Sequence, residues 1–258
     1  MATFLFDRIV FGPIKSRRLG SSLGINLLPN ESKLCNFNCI YCECGWNSKE
    51  AKKSFHPRDE VKQHLKEKLD ELKKFHNLPD VITFAGNGEP TMHPEFAGII
   101  DDTIELRNAV SPKTKIAVLS NATLISRPNV FEALKKVDQN ILKLDSAFEA
   151  TVNLINNPQG SYSTQKLVDK LKEFEGRLII QTMFLKGTYN GLVVDNTTEV
   201  EVSAWLELLL QIKPNELMIY TIARDTPAKD LEKVEVDELN AIAARAKQLL
   251  GIPVQVSA

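Results

Sequence analysis

Outside residues 35–44 this chain of 258 residues has no cysteine at all; its four cysteines are Cys35, Cys39, Cys42 and Cys44. That rules out a disulfide framework tying distant segments together, and it rules out a second cysteine-held metal centre elsewhere in the chain. A surplus of basic charge is also missing. Lysine and arginine number 32 against 33 aspartates and glutamates, for a formal net charge of −1. No broad nucleic-acid footprint follows from such a balance, although a local basic pocket stays open. No stretch approaches the roughly 18 apolar residues of a membrane-spanning helix. The start, Met1-Ala-Thr-Phe-Leu-Phe-Asp7, turns charged too soon for a secretory signal. Cytoplasmic placement is the expectation, and clustered cysteines there favour metal over disulfide. No repeat, low-complexity tract or linker divides the chain, so one domain spanning 1–258 is expected.

What is present is a rhythm of short apolar runs and longer amphipathic ones. Leu23–Leu28, Asp80–Ala85, Lys115–Ser120, Asn140–Asp145, Arg177–Leu185 and Glu216–Ile222 read as six principal strands. Helices are expected at 57–76, 94–108, 127–137, 162–175, 198–211 and 236–250, with a short final strand at 254–256. In the first helix Val61, Leu65, Leu69, Leu72 and Phe75 recur at helical spacing behind Pro57, Asp59 and Glu60. Strand–helix alternation implies an α/β fold with a parallel sheet and helices outside, as an open, partial barrel. Within it, 1–21 form an irregular lead-in carrying Lys15, Arg17 and Arg18, 22–226 the barrel, and 227–258 a C-terminal helix and strand. Residues 186–200 are expected to form a long loop, either a lid or a mobile connection.

In such sheets functional groups gather at the C-terminal strand ends. The first of those ends runs Leu34-Cys-Asn-Phe-Asn-Cys-Ile-Tyr-Cys-Glu-Cys44, a Cys-x3-Cys-x2-Cys pattern. Three thiolates on one loop suit three corners of a cubic iron–sulfur cluster and leave a fourth iron open. A zinc knuckle that recruits Cys44, or a disulfide, is the competing reading, but zinc sites usually pair two knuckles across a longer spacer. The second strand ends in Gly86-Asn-Gly-Glu-Pro90, where glycines permit close backbone approach to a ligand.

The cysteine spacing with Tyr41 before the last ligand, followed by Gly86–Pro90, resembles the radical S-adenosylmethionine (SAM) superfamily. The resemblance implies a partial (βα)6 barrel and a [4Fe-4S] cluster on Cys35, Cys39 and Cys42. It implies SAM chelating the open iron, and its reductive cleavage to a 5′-deoxyadenosyl radical that abstracts hydrogen from a substrate. It places Gly86, Asn87, Gly88, Glu89 and Pro90 against the SAM amino group and the Tyr41 backbone against adenine. By strand-end position, Ser120, Asn121, Asp145 and Ser146 would face the ribose or carboxylate, and Met183, Leu185 and Ile222 would pack on adenine. A narrower likeness, over roughly 10–226, is to the iron–sulfur oxidoreductase group that includes the wyosine-tRNA synthases. It is carried by Gly12–Gly20, Ser22–Pro29 and Gly86-Asn-Gly-Glu-Pro-Thr-Met-His-Pro94. Those synthases carry extra cysteines, which this chain lacks. The expected partners are a substrate the sequence does not name and a reductant such as a flavodoxin or ferredoxin. A glycyl-radical activase, tRNA base modification and a non-catalytic zinc or redox scaffold are the alternatives. Cys44 is open between a buried hydrophobe, which is favoured, a packing residue of the cysteine loop and a thiol near the radical; His93 reads as a helix-entry hydrogen-bonder, with substrate contact as the alternative.

Overall fold

A computed structural model describes residues 4–48 and 54–258. Its elements are, in order, strands β1 (Val10–Ser16) and β2 (Gly20–Ile25), helix α1 (Arg58–Lys74), β3 (Val81–Phe84), α2 (Phe96–Val110), β4 (Lys115–Ser120), α3 (Pro128–Lys136) and β5 (Gln139–Lys143). There follow α4 (Glu149–Ile155), α5 (Thr164–Lys172), β6 (Ile179–Met183), β7 (Leu185–Tyr189), β8 (Leu192–Asp195), α6 (Glu199–Ile212), β9 (Glu216–Tyr220), β10 (Leu231–Lys233), α7 (Val236–Leu250) and β11 (Val254–Ser257).

The main sheet has the order β1-β2-β3-β4-β5-β6-β9-β11. From β2 to β11 every neighbouring pair is parallel, and β1 closes one edge antiparallel to β2. The six strands β2, β3, β4, β5, β6 and β9, each followed by a helical crossover, are the six read from the sequence, and they curl into the expected partial barrel. Their outward side chains meet the helices in one large core in which Phe84 contacts Phe96 edge-on and Phe184 contacts Trp205 edge-on. Inward-pointing Val81, Ala117, Ile141, Ile179 and Met218 form a separate apolar layer inside the barrel, with Leu19 and Leu119 against it. Two residues further along their strands four of the five inward positions turn polar, Thr83, Lys143, Gln181 and Tyr220, while the fifth is Leu119. The barrel is therefore filled at the N-terminal ends of its strands and hollow at the C-terminal ends.

Three expectations need correction. The lead-in is ordered: residues 10–25 are the β1–β2 hairpin, whose turn carries Arg18 and Leu19 into the barrel. Residues 186–200 do not form a lid-like loop. They fold as the β7–β8 hairpin around Asn190-Gly191, both at positive φ, and then enter α6; β10 pairs with β7 to complete a small antiparallel sheet. Asn-Gly between two short strands is the strongest local hairpin signal, so the sequence did carry it. Helix α4 was missed because only Val152 and Ile155 of its seven residues are buried, too few to show a period.

Candidate active site

The cysteine loop and the Gly86–Pro90 loop lie side by side because Gly88 lets them. Gly88 has φ +142°, and a β-carbon there would overlap the Leu34 carbonyl oxygen and lie 2.5 Å from its carbon. With only hydrogen present, the two segments pair as strands do: Leu34 N donates to Asn87 O at 2.8 Å and Glu89 N to Leu34 O at 3.2 Å. Cys44 adds a third tie, its thiol donating to Gly86 O at 3.4 Å. Cys44 thus ties the cysteine loop to the Gly86–Pro90 loop.

Cys35, Cys39 and Cys42 line one cavity of about 400 Å³ at the hollow end of the barrel, and all three are free thiols. Each sulfur is already set up as a hydrogen-bond acceptor. Cys35 Sγ receives Phe37 N at 3.4 Å and the Asn121 amide at 3.7 Å. Cys39 Sγ receives the Asn156 amide at 3.5 Å. Hydrogen bonding from Cys44, and then the charge of Lys33, hold the Cys42 thiol down to about 5. Burial pushes the Cys35 and Cys39 thiols up, whereas a metal-bound thiol is deprotonated outright. Lys33 is buried and its ammonium donates to Gly45 O at 2.9 Å. Burial acts to lower its pKa, but the surrounding sulfurs raise it above the ordinary lysine value. A buried cation facing three sulfurs, each supplied with a donor, fits a thiolate-bound, electron-accepting cluster. Among the described residues no three His, Cys, Asp or Glu side chains converge enough to share one metal ion. A cluster does not ask that of them, since each thiolate addresses a different iron.

Of the other residues singled out, Tyr41, Gly86, Gly88, Glu89, Ser120, Asn121, Met183 and Ile222 line this cavity. Glu89 is buried and heavily hydrogen-bonded. Its carboxylate accepts from Thr91 N and Oγ1, Ser120 Oγ and Asn121 N, at 2.5–3.1 Å. Three of the four donors fall on Oε1 and one on Oε2, so Glu89 clamps the β3 and β4 ends together while Oε2 keeps a lone pair for a further donor. Burial pushes its pKa up.

Five expected ligand contacts fall away from the cavity lining. The Asn87 side chain turns back to staple Phe6 and Pro29, and Pro90 opens a short 3₁₀ turn. Ser146 bonds Glu201 at 2.6 Å, and Leu185 is buried with its N–H on Asn196 Oδ1. Asp145 lies beneath the floor, taking bonds from Tyr41 OH, from Asn156 at 2.7 Å and from Met183 N at 2.9 Å. Strand-end position places a residue near a site, but the pleat and the local turns decide which way its side chain faces. His93 does what a helix-entry residue does, accepting from Glu95 N at 3.1 Å. Sequence reasoning missed Lys143, Gln181, Tyr220 and Lys33, all on the lining. The signal for the first two was a polar residue inside an apolar strand, Ile-Leu-Lys-Leu and Ile-Ile-Gln-Thr-Met.

Comparison with known proteins accords with this geometry. The family described as Radical SAM superfamily matches residues 32–195. UPF0026 protein slr1464 of Synechocystis sp. is 30% identical over 273 residues, covering 95% of both chains. A protein named GTPase Obg from Brachyspira hyodysenteriae is 29% identical over 236 residues, but the chain spans only 32% of its length against 89% of its own. The solved structure titled TYW1 with a lysine-pyruvate adduct bound superposes with a TM-score of 0.61 at 17% identity, covering 88% of this chain and 73% of that one, a likeness of fold. With more than half its length matched by that family, and the three-cysteine loop within the match, this chain belongs to the Radical SAM superfamily.

Proposed function

We propose that this radical SAM enzyme holds its [4Fe-4S] cluster on Cys35, Cys39 and Cys42, binds SAM against the Gly86–Glu89 loop, and removes a hydrogen atom from an organic substrate seated deeper in the same cavity. When bound, the pair supplies one-electron reductive cleavage of a sulfonium, the source of a hydrogen-abstracting 5′-deoxyadenosyl radical. The electron comes from a reductant such as a flavodoxin or ferredoxin. The observation that carries the reading is the convergence of three donor-supplied thiols and a glycine-lined loop on one hollow barrel end.

The chain's own residues supply position, charge and exclusion of water. Lys33 offsets the negative charge of the thiolates. Asn121 and Asn156 direct amide N–H groups at two of the sulfurs, which favours the reduced state, because hydrogen bonds to sulfur raise the potential of such centres. The glycine loop presents backbone to the amino acid end of SAM, with Glu89 fixing its shape. Lys143 and Asp145 hold Tyr41 from below.

The test is anaerobic reconstitution with iron and sulfide, then reductant and SAM. Protein that takes up iron and releases 5′-deoxyadenosine, and loses both when Cys35, Cys39 and Cys42 are replaced by alanine, bears the reading out. Cys44→Ala should keep cleavage largely intact. A purified protein holding zinc and no iron, or a triple variant that still cleaves SAM, would refute it.

A further inference from the structure

Resting on that function, the interior of the barrel points to the chemical class of the substrate. The β1–β2 turn is pushed into the barrel from its closed end, with Leu19 packed on the apolar layer. Its backbone is fixed from both sides: Arg18 N and Leu19 N donate to Ser16 Oγ, and Gln255 donates to Arg18 O at 3.1 Å. The Arg18 side chain is thereby aimed at the cavity. One guanidinium nitrogen donates to Gln181 Oε1 at 3.2 Å, and its carbon stands 4.5 Å from the centre of the Tyr220 ring. Lys143 approaches the same ring, its ammonium 5.8 Å from the centroid and 3.3 Å from the Tyr220 hydroxyl.

The charges do not balance at this spot. On the rim, Arg17 and Arg224 both meet Glu43, at 3.9 and 2.7 Å. On the floor, Lys143 has Asp145 at 3.4 Å. Arg18 enters no ion pair among the described residues; its contacts are a neutral amide and an aromatic face. Two cations share one tyrosine ring, and the carboxylate at this spot, Asp145, pairs with Lys143, so the Arg18 guanidinium is left for a ligand to meet.

We propose that the substrate carries a carboxylate, held by the free edge of the Arg18 guanidinium together with Lys143 and Tyr220, and so anchored on the cavity floor with its reacting carbon turned toward the cysteines. A planar fork matches a carboxylate in two parallel hydrogen bonds. A carboxylate brings one negative charge to the unpaired guanidinium, whereas a phosphate dianion brings two charges that must be desolvated in the same half-buried space.

SAM has a carboxylate of its own, so the test uses cluster-reconstituted protein saturated with SAM. Binding of propionate, propionamide and methylphosphonate is titrated by ligand-observed NMR. Propionate should bind saturably, propionamide should not, and methylphosphonate should bind more weakly. Arg18→Gln should raise the propionate Kd by about 10-fold or more, the loss expected for a charge-assisted bidentate contact. Arg18→Lys should fall between, and Arg17→Gln should match the wild type. Gln181→Met, which keeps the charge but releases the guanidinium, should also weaken binding, so the idea stays testable if Arg18→Gln fails to fold. Equal binding of propionamide, tighter binding of methylphosphonate, unchanged propionate affinity in Arg18→Gln, or a loss there confined to SAM affinity would each overturn the inference. Wild-type protein that cleaves SAM yet ignores propionate refutes this inference alone. Protein that binds propionate but never cleaves SAM refutes the proposed function and leaves a carboxylate site with another use.

Discussion

Replacing Gly88 by alanine strikes the contact that brings the two ligand loops together. An alanine at φ +142° sits in backbone space that L-residues rarely adopt, at a cost of about 1–3 kcal/mol. Its methyl group would also overlap the Leu34 carbonyl, so the loops must part. Parting gives up the bonds from Leu34 N to Asn87 O and from Glu89 N to Leu34 O, about 0.5–1.5 kcal/mol each. The combined loss is about 2–6 kcal/mol, a large share of the 5–15 kcal/mol that holds a typical domain together. It is a loss with a local address, because Leu34 immediately precedes Cys35. Anaerobic denaturant unfolding should show a lower midpoint, and iron per chain after reconstitution should fall with it. Gly160→Ala is the control: a β-carbon there meets nothing within 4 Å, so both readouts should stay at wild-type values. A Gly88→Ala protein that binds full iron and unfolds at the wild-type denaturant concentration would refute the claim that this close approach sets the geometry of the cysteine loop.

Two further substitutions probe buried charge. Asp145→Asn strips the carboxylate from a group that serves Tyr41, Asn156, Met183 N and Lys143, leaving Lys143 largely buried without its counter-charge; a loss of about 3–5 kcal/mol in denaturant unfolding is expected, and an unchanged midpoint would refute the network. On the outer face, a hydrogen bond from Arg58 at 2.6 Å, with help from Lys62, holds the Asp102 carboxyl below its ordinary range. Because the folded value is the lower one, this stabilisation is complete above the ordinary carboxylate pKa near 4 and is lost as pH falls through the depressed value. Asp102→Asn should therefore destabilise by about 1 kcal/mol at neutral pH and by progressively less below about pH 4; a difference independent of pH would contradict the assignment.

Much of the architecture was legible because it rests on local periodicity. The strand Lys115–Ser120 and the helix Val236–Leu250 fall on the residues their hydrophobic patterns indicated, and the six principal strands appear in order. The same holds for the cysteine loop, whose chemistry is written in three residue types at fixed spacing. What periodicity could not show was a pairing between segments distant in sequence. The β1 strand exists because β2 offers an edge, and β10 because β7 does. Ser146 and Leu185 sit at strand ends as expected, yet Glu201 and Asn196, many residues downstream, draw their polar groups away from the cavity.

The sequence by itself determined the alternation of strands and helices, and with it the α/β class, and the three cysteines at one strand end, since both are written in patterns a few residues long. Only the tertiary structure decided which charges stand near which. Arg18, Lys143 and Gln181 come from three separate parts of the chain, and their meeting around Tyr220 depends on how far the sheet curls and on a hairpin turn entering from beneath. Electrostatic balance is a property of distance in space, and a linear order of residues fixes that distance only once the sheet has closed around it.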